Sequence, residues 1–155
     1  MKFLNLTGGY ISSEPYGGAI VVHGSGSKLH ALGTIFENNK AIGTNGNAGA
    51  IWVSDGAQLY AHECSFLHNE ALFGGAIMIR INSTGQILNS TFKDNIADMR
   101  GGAIFVGSAN LLLTRVIISE NVQKSSSANG NYGGGGLYVQ RSAVLRVQDS
   151  SIMRN

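Results

Sequence analysis

The chain has 155 residues, of which 13% are charged and 22 are glycine. The charged fraction is about half, and the glycine content about twice, the average for soluble domains, which favours a tightly layered fold over a disordered chain. Because the formal net charge is only +2 and no Lys/Arg cluster is present, we expect neither nucleic acid nor an anionic membrane as a partner.

The amino-terminal stretch MKFLNLTGGYISS lacks the apolar segment of about 7 to 15 residues that marks a signal peptide. No later run reaches the ~18 apolar residues of a membrane-spanning helix, so we expect no membrane insertion. Cys64 is the only cysteine, which excludes an internal disulfide and a cysteine-pair metal site. The sequence therefore predicts no metal and no cofactor.

A glycine motif recurs along the chain at intervals of about 26 to 33 residues. The copies are GGAIVV from Gly17, AGAIWV from Ala48, GGAIMI from Gly74, GGAIFV from Gly101 and GGGLYV from Gly134. Each copy is followed by a second motif that ends in asparagine, in the forms FENN, FLHN, FKDN, ISEN and IMRN. Two ordered motifs with this spacing indicate a repeat array, so residues 1–155 are predicted to form one domain of five repeats.

Short strands are favoured over helices within each repeat. Glycine, serine, asparagine and aspartate interrupt the repeats, and their apolar segments alternate with period 2. A repeat of this length with two or three short strands is one coil of a parallel β-helix, in which each strand pairs with its equivalent about 4.8 Å away. The predicted fold is therefore all-β, a single-stranded parallel β-solenoid of about five coils with uncapped ends.

The first predicted strand of each repeat has aliphatic residues at the fourth and sixth positions of the glycine motif. Strand alternation places these two positions on one face, which we predict to be the interior. The pairs are Ile20/Val22, Ile51/Val53, Ile77/Ile79, Ile104/Val106 and Leu137/Val139.

The second predicted strand has inward columns that change parity before the phenylalanine position. Inward apolar residues stand at Leu29 and Ala31 and at their equivalents, and a column of small residues follows at Thr34, Cys64, Ser90, Val116 and Ser150. The change of parity predicts a bend at Gly33, Glu63, Asn89, Arg115 and Asp149. Cys64 is thereby predicted to be a small buried filler rather than a reactive thiol.

The asparagines that end the second motif form a further column, consisting of Asn39, Asn69, Asn95, Asn121 and Asn155. A side-chain amide both donates and accepts, so stacked copies can bond to one another and to the turn backbone. We therefore predict a structural asparagine ladder and no catalytic role for it.

An outward column lies between the two inward positions of the first strand, at Val21, Trp52, Met78, Phe105 and Tyr138. Stacked large apolar side chains on an open sheet usually mark a contact site. The stripe is predicted to be an interaction surface for a lateral protein or for a glycan. The alternative is that it reflects β-propensity or is covered by the chain's own loops.

Catalysis would require clustered carboxylates on one face. Only Asp94 and Glu120 share a column on adjacent repeats, beside Asn38, His68 and Arg154. A solvated edge of mixed charge accounts for this column equally well, so we expect no catalytic residues and no enzyme activity. The sequons at Asn5, Asn82 and Asn89 are no more than chance predicts, and Asn82 in a turn is the possible glycosylation site.

The pairing of GGA-[ILV] with F-x-x-N, with alanine two residues later as at Ala41, Ala71 and Ala97, resembles the repeat of polymorphic outer-membrane proteins. Those proteins are bacterial autotransporter surface proteins whose passenger regions resemble right-handed pectin-lyase-like β-helices. The resemblance covers nearly the whole chain. It implies a right-handed solenoid and an extracellular or cell-surface location.

The expected function rests mainly on the two ends of the solenoid. Solenoids normally cap their terminal strands, and neither end of this sequence shows an amphipathic helix or a polar cap. Asn155 ends a repeat, and residues 1–16 can lead into the next glycine motif, so the two ends are expected to match in register. We predict a structural or adhesive solenoid that stacks head to tail with copies of itself or belongs to a longer repeat protein. The alternative is a carbohydrate-binding or polysaccharide-cleaving module.

Overall fold

The computed structural model describes residues 4–11, 16–43, 46–125, 133–140 and 142–155, and all regular structure in these ranges is β-strand. The strands in chain order are β1 (Leu4–Thr7), β2 (Tyr10–Ile11), β3 (Ile20–His23), β4 (Lys28–Leu32), β5 (Thr34–Glu37), β6 (Lys40–Ala41), β7 (Ile51–Ser54), β8 (Gln58–His62), β9 (Ser65–Leu67), β10 (Glu70–Phe73), β11 (Ile77–Arg80), β12 (Thr84–Leu88), β13 (Thr91–Lys93), β14 (Ile96–Arg100), β15 (Ile104–Gly107), β16 (Asn110–Thr114), β17 (Ile117–Ser119), β18 (Val122–Gln123), β19 (Leu137–Val139), β20 (Val144–Gln148) and β21 (Ser151–Met153).

The strands pair in parallel into four sheets, and successive strands along the chain belong to sheets 1, 2, 3 and 4 in that order. Sheet 1 contains β3, β7, β11, β15 and β19, and sheet 2 contains β4, β8, β12, β16 and β20. Sheet 3 contains β1, β5, β9, β13, β17 and β21, and sheet 4 contains β2, β6, β10, β14 and β18. The predicted all-β parallel solenoid is thus confirmed. The five predicted repeats correspond to the five strands of sheet 1.

The predicted interior columns are aligned as neighbouring residues of one ladder. Ile20 pairs with Ile51, Ile51 with Ile77, Ile77 with Ile104, and Ile104 with Leu137. In sheet 3, the rings of Phe36, Phe66 and Phe92 stack with centroids 4.8 and 4.5 Å apart and nearly parallel planes. All three rings are fully buried. Like residues therefore lie on like residues along the axis, which gives one continuous apolar core.

The bend between sheets 2 and 3 lies at the predicted positions. Every residue there has a left-handed backbone conformation: φ is 54° at Gly33, 54° at Glu63, 48° at Asn89, 52° at Arg115 and 48° at Asp149. A left-handed residue reverses the alternation of side chains between two strands. This reversal explains the change of parity in the sequence.

The second glycine of each motif is required because the coils approach closely. A Cβ on Gly75 would lie 2.0 Å from the carbonyl oxygen of Gly102, and a Cβ on Gly102 would lie 1.9 Å from that of Gly135. Neither glycine has a positive φ, so the constraint is the space between coils and not the backbone angle. The glycine column fixes the spacing of the coils at this corner.

Gly85 stands where the neighbouring coils have leucine, and its own coil compensates for the missing side chain. Gly85 pairs with Leu59 and Leu111, and the space that its Cβ would enter holds the Cδ1 atoms of Ile79 and Leu111. In the preceding coil the corresponding trio is Val53, Leu59 and Ala61, whereas here it is Ile79, Gly85 and Ile87. The two trios carry the same number of side-chain carbons, so the core keeps its volume while the shape changes.

Two features of the fold differ from the expectations. The segment after each asparagine contains the strands of sheet 4 and is not a simple turn. In addition, β1 pairs with β5, with Leu6 opposite Phe36, so within the described ranges sheet 3 has six strands while the other sheets have five. The expectation that the two ends match in register is therefore wrong for the chain with β1 in place. Flush stacking of two copies would put β1 of one copy and β21 of the other in the same position of sheet 3.

Candidate functional surfaces

The asparagine column forms a hydrogen-bonded ladder along the axis. The Nδ2 of Asn95 donates to Oδ1 of Asn121 at 2.8 Å and to the carbonyl oxygen of Phe66 at 2.9 Å. The Oδ1 of Asn95 accepts from the backbone N–H and from Nδ2 of Asn69, at 3.0 and 2.9 Å. The same bonds link Asn39 to Asn69 and Asn121 to Asn155. These side chains use their hydrogen-bonding capacity within the fold, and all but Asn155 are buried.

The side chains of the predicted apolar stripe project from the outer face of sheet 1, but most of them are buried. Trp52 is 6% exposed, Met78 is 2% exposed and Phe105 is 3% exposed, while Tyr138 is half-buried and only Val21 is well exposed at 45%. The interpretation of the stripe as an exposed interaction site is therefore wrong for its central residues. The alternative, cover by the chain's own loops, accounts for their burial.

The cover comes from Tyr16 and Ala48, which lie between sheet 4 and sheet 1, and from Phe73, the last residue of β10 in sheet 4. Ala48 and Phe73 pack on the stripe as members of a second apolar cluster, separate from the core. The ring of Phe73 meets that of Phe105 edge-on at 5.9 Å, and the ring of Tyr16 lies 4.6 Å from that of Trp52. The stripe thus packs against residues that lead into sheet 1, at Tyr16, Ala48 and Phe73.

The outer face of sheet 2 is open and carries polar side chains together with exposed apolar ones such as Leu32 and Val144. Two shallow clefts of about 320 and 280 Å³ lie on it and share Thr84 and Gln86. Their polar lining is Lys28, His30, Gln58, Tyr60, Asn110 and Arg146 together with those two residues. No carboxylate lines either cleft among the described residues. The face therefore offers hydrogen-bond donors, amides and one phenol in rows across successive coils.

The two acidic residues that share a column are held in ion pairs. Lys93 lies 3.1 Å from Glu120 and 3.7 Å from Asp94, and Arg154 lies 3.1 Å from Glu120. All these side chains are at least one-third exposed. Asp94 and Glu120 also have left-handed backbones, with φ of 55° and 59°, in the turn before the asparagine ladder. The geometry is that of a solvated edge of mixed charge.

A three-membered ion pair lies on sheet 4. Lys40 and Lys124 approach opposite oxygens of Glu70, at 2.9 and 2.6 Å. Hydrogen bonds from Lys124 and then from Lys40 lower the pKa of Glu70. The carboxylate is thus satisfied by two cations from other coils and is not poised as a general acid.

Cys64 is buried in the column of small residues, and its Sγ lies 3.3 Å from the carbonyl oxygen of Ala31. Burial raises the pKa of the Cys64 thiol, which disfavours the reactive thiolate. Within the described ranges, no group of three histidine, cysteine, aspartate or glutamate residues is arranged to hold a metal ion. No described segment forms a helix that could cross a membrane.

Of the three sequons, Asn82 is the one that stands at an exposed turn between sheets 1 and 2, with φ of 57°. Asn89 is held instead by neighbouring side chains: its Nδ2 lies 2.8 Å from Nε2 of His62, and its Oδ1 accepts from Nε of Arg115 at 2.7 Å. Asn5 is exposed on β1. The geometry leaves Asn82 accessible to modification.

Parallel sheets, stacked like residues and an internal asparagine ladder define a β-solenoid protein. The family described as "Right handed beta helix region" matches residues 5–155, and the chain belongs to this family. The right-handed winding implied by the resemblance is thereby supported.

Two curated relatives are similar to parts of the chain. The chain is 32% identical over 121 residues to "Metabotropic glutamate receptor-like protein R" of Dictyostelium discoideum, which covers 77% of this chain and 7% of the relative. It is 34% identical over 102 residues to "Probable autotransporter YfaL" of Escherichia coli (strain K12), which covers 61% of this chain and 8% of the relative. The chain thus spans less than a tenth of either relative. No solved structure matches it.

Proposed function

We propose that the chain is a non-catalytic structural or adhesive β-solenoid segment of a cell-surface or extracellular protein. Similarity to a probable autotransporter and to a receptor-like protein supports this location. So does the resemblance of its motifs to the repeat of polymorphic outer-membrane proteins. The main biochemical act of such a segment is to continue or display a solenoid.

One observation carries the proposal: each coil buries the interior residues of the coil before it. Val139, Val147 and Ile152 are 39%, 43% and 47% exposed. Their equivalents one coil earlier, Val106, Leu113 and Ile118, are all fully buried. A further coil of the same repeat would bury them as it does their equivalents.

Further coils can come from the same chain or from another copy. A second copy could stack flush only if β1 left its place beside β5, because both β1 and β21 belong to sheet 3. Continuation within a longer repeat protein needs no such displacement, and both relatives are much longer than this chain. The solenoid segment of a longer protein is therefore the preferred form of the proposal, with head-to-tail stacking of copies as its second form.

The test is to append a copy of residues 70–95 directly after Asn155, which continues the repeat in register. We expect the free energy of unfolding to rise by about 2 to 3 kcal/mol, because Val139, Val147 and Ile152 become buried. Urea unfolding followed by circular dichroism measures the change. The matched control carries the same extension with aspartate in place of its Phe92 equivalent, which cannot enter the core. Equal stability of the two extended chains and the original would contradict the proposal.

The polar side chains on the open face of sheet 2 favour a second candidate function, carbohydrate binding. Tyr60, Gln86 and Arg146 can stack on and hydrogen-bond to a sugar chain that lies across the coils. Cleavage has less support, since neither cleft is lined by a carboxylate that could act as general acid or base. In a titration with neutral and acidic oligosaccharides, we expect Tyr60→Ala and Gln86→Ala to weaken binding while Thr114→Ala does not. Turnover of a polysaccharide that is abolished by Asp94→Ala and Glu120→Ala would refute the non-catalytic assignment.

A further inference from the structure

The two clefts on the outer face of sheet 2 form one depression that crosses all five strands of the sheet. The cleft of about 280 Å³ lies over β4, β8 and β12, and the cleft of about 320 Å³ lies over β12, β16 and β20. They meet at Thr84 and Gln86 of β12. Because neighbouring strands are about 4.8 Å apart, the depression extends for about 19 Å along the solenoid axis between its first and last strands.

Every coil presents two outward residues to this depression. The pairing register of sheet 2 aligns these residues in two columns. The first column is Lys28, Gln58, Thr84, Asn110 and Val144, and the second is His30, Tyr60, Gln86, Leu112 and Arg146. A ligand whose units repeat at the spacing of the strands therefore meets an equivalent pair of positions at each step.

The polar side chains of the two columns are not engaged within the fold. In the described part of the chain, no hydrogen bond or ion pair involves the side chains of Lys28, Gln58, Thr84, Gln86, Asn110 and Arg146. All six residues are exposed. The asparagine ladder differs, since there each buried amide is bonded to the next. The polar groups of the depression can therefore bond to a ligand in exchange for water.

Apolar surface lies between these polar groups. The ring of Tyr60 is half-buried, and its centroid lies 5.6 Å from that of His30 and 6.3 Å from that of His62. Leu112 and Val144 supply aliphatic surface further along the axis. A pyranose ring has an apolar face of C–H groups and an edge of hydroxyls, so it matches a lining in which aromatic and aliphatic surfaces lie beside amides.

The two cations of the depression stand at its opposite ends. Lys28 is on the first strand of sheet 2 and Arg146 is on the last, four strand spacings or about 19 Å apart along the axis. The outward residues of the three coils between them are uncharged in both columns. No carboxylate is found among the described residues that line the depression. This pattern suits a ligand that carries acids at wide intervals.

We propose that sheet 2 binds a linear polysaccharide in which sugars with a carboxylate are separated by neutral sugars. This inference rests on carbohydrate binding, the second candidate function above, and names its ligand. An extended pyranose chain advances by roughly one strand spacing per sugar, so it lies along the axis with one sugar per coil. Carboxylates on the first and fifth sugars then reach Lys28 and Arg146, where the guanidinium offers two parallel N–H donors. The neutral second sugar stacks on Tyr60.

The experiment titrates the full chain by calorimetry with a hexasaccharide that alternates glucuronate and N-acetylglucosamine. The matched ligands are a β-1,4-linked hexamer of glucuronate, with an acid on every sugar, and one of N-acetylglucosamine, with none. We expect the alternating ligand to bind about fivefold or more tighter than the neutral one, because it forms two exposed ion pairs. The fully acidic ligand should bind no more tightly than the alternating one, since its additional carboxylates lie over uncharged side chains.

The outcomes separate this ligand assignment from carbohydrate binding itself. If the neutral hexamer binds as tightly as the alternating one, or the fully acidic hexamer binds more tightly, the assignment fails and carbohydrate binding stands. If none of the three hexamers binds, the carbohydrate candidate fails and the assignment fails with it.

Variants locate the ligand. Arg146→Gln and Lys28→Gln are each expected to weaken binding of the alternating hexamer about two- to fivefold and to leave binding of the neutral hexamer unaltered. Tyr60→Ala should weaken binding of both hexamers, because stacking on the ring does not depend on charge. Arg154→Gln makes the same charge change outside sheet 2 and should alter neither. If Arg146→Gln, folded by circular dichroism, binds the alternating hexamer as well as the original chain does, the proposal is wrong.

Discussion

Replacing Asn95 with alanine is expected to lower the free energy of unfolding by about 3 kcal/mol or more. The substitution removes the acceptor of two donors of Asn69 and the donor to the carbonyl oxygen of Phe66, all in a buried setting. Each buried polar group left without a partner costs about 1 to 3 kcal/mol. The unfolding midpoint in urea, followed by circular dichroism, measures the loss.

The matched control is Asn155→Ala, at the open end of the same ladder. Asn155 accepts the same two bonds from Asn121 but is exposed, so water can replace the lost side chain. We expect a cost of about 1 kcal/mol or less. Comparable losses for the two variants would show that the ladder contributes less than local turn structure does.

The second large effect is expected for Gly75→Ala, which should destabilise the fold by about 3 kcal/mol. The new Cβ would lie 2.0 Å from the carbonyl oxygen of Gly102 and 2.6 Å from that of Ile96, so two coils must move apart. Backbone atoms cannot rotate away as side chains can, which puts this case at the upper end of the cost of overpacking.

Gly85→Ala is the matched control, because Gly85 is also buried and also lacks a positive φ. Its Cβ would meet only the methyl ends of Ile79 and Leu111, which can change rotamer. We expect a loss of about 1 kcal/mol or less. Thermal unfolding of both variants distinguishes the two kinds of glycine, and equal midpoints would contradict the assignment of Gly75 to coil spacing.

The repeated part of the fold could be predicted from the sequence because residues that stack in one column are of the same type in successive repeats, so each repeat can be checked against the others. Ile20 and its equivalents agree in type and spacing, and the parity of the inward residues predicts the bend at Glu63 and Asn89, where the backbone is left-handed. The position of Cys64 in a buried column followed from the same comparison. A single short strand does not show which of its faces is buried, but agreement between equivalent positions of five repeats does.

The unrepeated part could not be predicted in this way. Leu6 and Gly9 stand where other repeats have phenylalanine and asparagine, so β1 had no motif to reveal it. The burial of Trp52 depends on how irregular connections fold over sheet 1, which periodicity does not describe.

The asparagine ladder gives the solenoid a polarity. Every amide oxygen accepts from the preceding coil and every amide nitrogen donates to the following one, so the side-chain dipoles all point in one direction along the axis. At the first coil Oδ1 of Asn39 accepts from the backbone N–H of Gly9, and at the last coil Nδ2 of Asn155 donates to the carbonyl oxygens of Ile118 and Met153. Any molecule that extends the solenoid must bind in the same orientation, because two identical ends placed face to face would have their amide dipoles pointing in opposite directions.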